Sequence, residues 1–138
     1  MNFPGFDPGP PRARSDMIIR GGRVIVIEDD EGMREAIESL LGAAGLATTP
    51  YASAEDFLAA YAPQGARCIV SDVMLPAMSG LELAAELCRR GGSPPIILIT
   101  AHDSPAMRSE ALLSGAVAYL GKPFSGSALL EAIERASH

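Results

Sequence analysis

Five short apolar runs, each followed by a stretch with helical spacing, restrict this chain more than any other feature of it. The first run, Arg23-Val24-Ile25-Val26-Ile27, is continuous and β-branched; after it Met33, Ala36, Ile37, Leu40 and Leu41 mark one helix face, which Gly45 stops. Leu46-Ala47-Thr48-Thr49 is ended by Pro50, and Ser53 is the N-cap of a helix reaching about Tyr61 and closed by Pro63 and Gly65. Cys68-Ile69-Val70 carries Asp72 to its end and turns at Pro76, after which Ser79 and Glu82 form a capping box for a helix through Leu83, Leu87 and Cys88. Gly91-Gly92-Ser93-Pro94 breaks that helix. Pro95-Ile96-Ile97-Leu98-Ile99 ends at Thr100, and Ser104 with Pro105 in the first helical position opens a helix that stops at Gly115. Ala116-Val117-Ala118-Tyr119-Leu120 ends at Gly121-Lys122-Pro123, and a last helix spans about Ser125 to Ala136.

Strands that are apolar throughout are buried on both faces, so their alternation with helices predicts an α/β fold: a doubly wound parallel sheet covered on both sides by five helices. Of the two common strand orders for such sheets, five strands favour the flavodoxin-like order 2-1-3-4-5.

At 138 residues the chain is expected to form one ordered domain, residues 23–138, preceded by a flexible arm over residues 1–22 that is rich in Pro and Gly and has no periodicity. The formal charge is −6, and the arm, with three Arg and two Asp, leaves −7 on the rest. A surface of that sign repels phosphate backbones, which argues against direct nucleic-acid binding. No apolar run approaches a bilayer span and no signal-type segment opens the chain, so a cytoplasmic protein without membrane contact is expected. Cys68 and Cys88 lack metal-type spacing and read as two buried thiols in a reducing compartment.

The strands end in Glu28-Asp29, Pro50, Asp72, Thr100 and Lys122. In the order 2-1-3-4-5 the tips of strands 1, 3, 4 and 5 are neighbours, and the tip without polar chemistry falls at the edge. An isolated Asp at a strand end is more often a turn cap, but four adjacent tips offering an acid pair, an acid, a hydroxyl and an amine form a crevice where α/β sheets bind ligands. Crowded carboxylates raise one another's pKa and call for a cation. With oxygen donors only, a hard ion that keeps waters is expected, Mg2+ or Mn2+. Such an ion also binds phosphate oxygens. Lys122, the one lysine beside ten arginines, adds a compact positive charge and Thr100 a hydroxyl, so the crevice suits a phosphoryl group.

Taken together, Glu28-Asp29, Ser71-Asp72 with Leu75-Pro76 and Gly80, Thr100-Ala101, and Tyr119-Leu120-Gly121-Lys122-Pro123-Phe124 resemble the receiver domains of bacterial two-component response regulators over about residues 23–137. The resemblance implies that Asp72 accepts a phosphoryl group from a phosphohistidine of a sensor histidine kinase or phosphotransfer protein. It implies that Asp29, Asp72 and the backbone carbonyl of Met74 bind Mg2+ directly, with Glu28 acting partly through water, and that Thr100 and Lys122 contact the phosphoryl oxygens. Glu28 stands where the family more often has Asp, which makes Asp29 the firmer ligand. The resemblance also implies a cis peptide before Pro123, where the ordinary expectation is trans. On this reading the chain is a phosphoacceptor switch rather than an enzyme, with self-catalysed phosphotransfer and slow autodephosphorylation.

Other residues carry two readings each. Tyr119 is either a strand aromatic packed at the sheet edge or, by resemblance, a switch that turns inward as Thr100 moves toward the phosphoryl group. His102 is either a solvated loop side chain or, with Met74, a tuner of acyl-phosphate hydrolysis. Asp30 and Glu31 suit a helix N-terminus better than a metal. The last two helices and the fifth strand, with Leu112, Leu113, Ala116 and Ala118, are the implied face for a downstream partner, and a phosphorylation-dependent homodimer stays open. So does the choice between a stand-alone receiver and one that continues into a DNA-binding unit. The enzyme alternative, an aspartyl-phosphate phosphatase or phosphotransferase of the haloacid dehalogenase type, needs an acid two residues beyond its nucleophile, where this chain has Met74. A nucleotide or flavin binder would need a Gly-rich turn after the first strand, and Glu28-Asp29 stands there instead.

Overall fold

The computed structural model describes residues 22–60, 66–91 and 93–137. The expected arm, apart from Gly22, lies outside the described residues, as do the helix closure at residues 61–65 and Gly92. Ten elements alternate along the chain: β1 Arg23–Ile27, α1 Glu31–Ala43, β2 Thr48–Tyr51, α2 Ala54–Ala60, β3 Ala66–Asp72, α3 Gly80–Arg90, β4 Ile96–Thr100, α4 Pro105–Leu113, β5 Ala118–Gly121 and α5 Gly126–Ala136. All strand pairs are parallel and the order across the sheet is β2-β1-β3-β4-β5, the 2-1-3-4-5 arrangement expected.

The three inner strands, β1, β3 and β4, divide their side chains between two cores. Val24, Val26, Cys68, Val70, Ile97 and Ile99 face Ile37 and Leu41 of α1 and Leu129 and Ile133 of α5. Ile25, Ile27, Ile69, Ile96 and Leu98 face the other way, onto Phe57 of α2, Leu83 and Leu87 of α3, and Ala111 of α4. This is why these inner strands carry no polar alternation: neither of their faces meets water.

Two strand starts differ from the sequence expectation for one reason. The amide of Leu46 still bonds to Leu41 O at 2.9 Å, and that of Ala116 to Ala111 O at 3.2 Å. Each residue closes the preceding helix, so β2 begins at Thr48 and β5 at Ala118. Pro50 does not end its strand either; it pairs with Val26 inside β2. β2 is an edge strand, where a missing N–H costs no ladder bond.

The helix starts follow their caps. Ser79 accepts from Glu82 N while the Glu82 carboxylate takes the Ser79 amide, and Ser104 and Ser125 accept from Met107 N and Ala128 N. Ser53 Oγ accepts from Asp56 N at 3.0 Å. Each such cap contributes about 1 kcal/mol.

The two thiols part company. Cys68 is fully buried in β3, and burial pushes its thiol up to about 12. Cys88, expected inside, is exposed. The inward face of α3 is Gly80, Leu83, Ala84 and Leu87, which leaves Cys88 at its margin beside Gly115, where a β-carbon would collide with its Sγ. A thiol titration of the native protein at pH 8 is therefore expected to find Cys88 alone reactive, with Cys68 joining only in denaturant. Two thiols reacting quickly without denaturant would contradict this packing.

Candidate functional site

The site is made where four strands end side by side. Glu28 and Asp29 follow β1 directly, and the Glu28 amide extends the sheet by bonding to Tyr51 O at 3.1 Å. Asp72 closes β3 opposite Ile99, and the Val73 amide continues the ladder to Ile99 O at 2.8 Å. Thr100 closes β4, pairs with Gly121, and receives the Lys122 amide on its backbone oxygen at 2.7 Å. Strand pairing alone thus carries the chain's acids, hydroxyl and amine to one edge.

The side chains then converge. Lys122 Nζ donates to Glu28 Oε1 and to Asp72 Oδ2, both at 2.9 Å. Carboxylate oxygens of Glu28, Asp29 and Asp72 lie within 4.8 Å of one another, the one such acidic cluster among the described residues. Glu28 and Asp72 are buried, and Asp29 is exposed at the mouth. Glu28 Oε2 accepts the Asp30 amide at 3.2 Å, its backbone oxygen accepts Arg34 Nη1 at 2.8 Å, and Asp72 Oδ1 accepts the Met74 amide at 2.9 Å.

Burial raises the Glu28 carboxyl above its ordinary value, and the nearby Asp72 charge adds to this, outweighing the Lys122 ammonium and the Asp30 N–H. Burial alone pulls the Lys122 ammonium down, but its hydrogen bonds to Asp72 and Glu28 outweigh that and leave it raised, so it stays charged. One ammonium facing three carboxylates leaves excess negative charge in a partly dry crevice. An all-oxygen donor set of this kind fits a small divalent cation.

The other residues singled out in the sequence fall around this centre. Thr100 is fully buried and its Oγ1 accepts the His102 amide at 3.0 Å. His102 is exposed, and Met74 is 51% exposed beside Asp72. Tyr119 is buried, with its hydroxyl donating to Asp103 Oδ1 at 2.9 Å. Asp30 sits at the N-cap of α1 without a side-chain cap bond, and Glu31 occupies the first turn. The Lys122–Pro123 peptide is cis, against the trans default. On the face assigned to a partner, Leu112 and Leu113 are exposed but Ala116 is buried beneath α4, while Val117, passed over in the sequence, is 53% exposed. Two further contacts escaped sequence reading, Arg34 on the Glu28 backbone and Asp103 on Tyr119. Nothing in residue type or spacing marks either one, because both partners are set by where α1 and the β4–α4 loop pack.

A doubly wound parallel sheet with an acid cluster, a buried hydroxyl and a lone lysine at its carboxyl edge defines a class of phosphate-handling α/β domains. Within it, the chain belongs to the response regulator receiver domains, whose family model matches residues 24–134. It is 44% identical to the transcriptional regulatory protein FixJ of Azorhizobium caulinodans over 110 residues, 80% of this chain and 52% of that one. It is 35% identical to the response regulator protein TodT of Pseudomonas putida over 134 residues, 97% of this chain and 59% of that one. The chain therefore spans a little over half the length of these curated relatives. Among solved structures it resembles FixJ-N, with a TM-score of 0.76 at 37% identity covering 84% of this chain and 93% of that one. The chemotaxis protein CheY4 of Vibrio cholerae gives 0.76 at 27% identity, covering 83% and 98%. The chain is thus a receiver domain of the two-component response regulator family.

Proposed function

We propose that Asp72 is the residue that takes the phosphoryl group, and that Glu28, Asp29, Thr100 and Lys122 make the transfer possible. The observation that supports this most is the double hydrogen bond of Lys122, which ties together carboxylates 94 and 50 residues away in the sequence. Phosphoryl transfer needs positioning and charge neutralisation more than covalent machinery. An Asp72 carboxylate oxygen attacks the phosphorus of a phosphohistidine, the phosphorus–nitrogen bond breaks, and the histidine leaves with that electron pair. Asp72 Oδ1 is already turned by the Met74 amide. Lys122, compact and held between two acids, keeps a donor at hand for a phosphoryl oxygen, and the Thr100 hydroxyl offers a second hydrogen bond. Glu28, Asp29, Asp72 and the Met74 backbone carbonyl would hold Mg2+ or Mn2+, whose positive charge neutralises the phosphoryl oxygens when bound.

The phosphoryl donors on this reading are a sensor histidine kinase or phosphotransfer protein and small acyl phosphates. Slow self-catalysed hydrolysis follows, its rate set by Met74, whose amide bonds to Asp72, and His102, whose amide bonds to Thr100; both side chains are exposed. The signal would pass to a partner or output unit through α4, β5 and α5, where Leu112, Leu113 and Val117 reach solvent. A haloacid dehalogenase-type phosphatase is disfavoured, since Met74 stands where that chemistry needs an acid.

Incubation with acetyl phosphate and Mg2+ is expected to add one phosphoryl group, found by mass on the peptide holding Asp72. Asp72→Asn is expected to remove the labelling while the circular dichroism stays native. Equal labelling of that variant would reject Asp72 as the acceptor.

A further inference from the structure

A second polar group lies beside the acidic cluster, where the β4–α4 connection meets the end of β5. Tyr119 is 5% exposed, its ring packed in the core with Ala111 and Ala116. Its hydroxyl donates to Asp103 Oδ1 at 2.9 Å and faces the backbone N–H of Ser104. Arg108, an exposed residue of α4, lays its guanidinium 4.7 Å from the ring centroid. The second oxygen of Asp103 lies against Gly121, where a β-carbon would stand 2.5 Å from Oδ2. One carboxylate thus touches Tyr119 and the residue just before Lys122. It is also carried by the loop whose His102 amide donates to Thr100 Oγ1.

We propose that Asp103 is a positioning residue: by accepting from the Tyr119 hydroxyl in the notch left by Gly121, it holds the β4–α4 loop closed and sets Thr100 for a phosphoryl group on Asp72. The proposal rests on the assignment of Asp72 as acceptor. Tyr119 stands on the edge strand β5, and one face of its ring is covered by the exposed Arg108 guanidinium rather than by core. The ring is kept in place by its hydroxyl's partners as much as by packing, because a phenol is apolar in body and polar at its tip. Gly121 is required on the same ground, since any larger residue would push the carboxylate off the tyrosine. Loop closure and Thr100 placement are then one event, and a ligand that needs Thr100 binds more weakly wherever the closed loop is less populated.

Beryllofluoride with Mg2+, a mimic of the phosphoryl group, probes this, together with nitration of Tyr119 by tetranitromethane read from peptide masses. Losing a hydrogen bond to a charged group shifts an equilibrium roughly ten-fold or more. Asp103→Ala is accordingly expected to speed Tyr119 nitration and weaken beryllofluoride binding, each about ten-fold. Affinity for Mg2+ alone should stay unchanged, because Asp103 is not part of the acidic cluster. In a Tyr119→Phe background, Asp103→Ala should have almost no further effect on beryllofluoride. Wild-type nitration and affinity in Asp103→Ala, or effects that add in full to those of Tyr119→Phe, would overturn the proposal. If Asp103→Ala fails to fold, Asp103→Asn keeps the shape without the charge and should move both readouts in the same direction by a smaller factor. Failure of the wild type to bind beryllofluoride would strike the assignment of Asp72 instead, and the nitration arm would still judge the contact.

Discussion

Replacing Lys122 by Met is expected to lower the stability of the metal-free protein by about 3 kcal/mol at pH 8, since removing one partner of a buried ion pair strands the other charges. The side chain is only 14% exposed, and its two acceptors, on Glu28 and Asp72, are more deeply buried still. Met fills nearly the same space, so the loss comes from charge and not from a cavity. The loss also depends on pH, with a definite sign. Burial already holds the Glu28 carboxyl above its unfolded value, and Lys122 is the main influence opposing it. Without the ammonium that carboxyl rises further, so the folded variant holds a proton that the unfolded chain releases. Stability is then greatest below the unfolded carboxylate range, near pH 4, and declines as pH climbs through the raised folded value. Thermal melts from pH 4 to 8 should show the gap between variant and wild type widening with pH, reaching roughly 10 °C. Saturating Mg2+ should narrow it, because a second cation replaces the lost one. A gap that is flat with pH would mean that Lys122 acts through packing.

Gly80→Ala is expected to destabilise by about 2–3 kcal/mol through overpacking, whereas Gly42→Ala should gain as much as about 1 kcal/mol from helix propensity. Gly80 opens α3 directly beneath the acidic site. A β-carbon there would collide with the backbone oxygen of Asp72 and stand 2.9 Å from Val73 Cα. Those neighbours are backbone atoms at the end of the central strand and in the residue just after it, and they cannot rotate away. The Gly80 amide also bonds to Val73 O at 2.9 Å, so the turn from β3 into α3 is drawn tight at this point. Relief must come by displacing α3 or Asp72 itself, so loss of stability should be joined by weaker binding of beryllofluoride and Mg2+. Gly42, in α1, has nothing within 4 Å of its would-be β-carbon. Urea unfolding of the pair separates steric demand from a general intolerance of substitution. Equal stability of the two variants would show that the approach to Asp72 is not tight.

The exposed partner face shows where residue type misled. Ala116, expected on that face, is buried, and Cys88, expected inside α3, is exposed. Helical spacing says which residues share a stripe. How wide a stripe its neighbour covers depends on the other element, and Gly115 leaves room for Cys88 at the rim of α3.

Strand and helix alternation, the caps at Ser53, Ser79 and Ser104, and the polar strand ends at Glu28-Asp29, Asp72, Thr100 and Lys122 were legible in the linear chain, because each rests on interactions spanning a handful of residues. Even the meeting of Glu28, Asp72 and Lys122 followed from strand order, since a parallel sheet with one switch point brings particular tips together. Tertiary structure alone decided that Lys122 bridges two acids, that Asp103 holds the Tyr119 hydroxyl, and that Pro50 lies within an edge strand. Those facts depend on distances of a few ångströms between segments up to 94 residues apart, and side-chain periodicity carries no information at that scale.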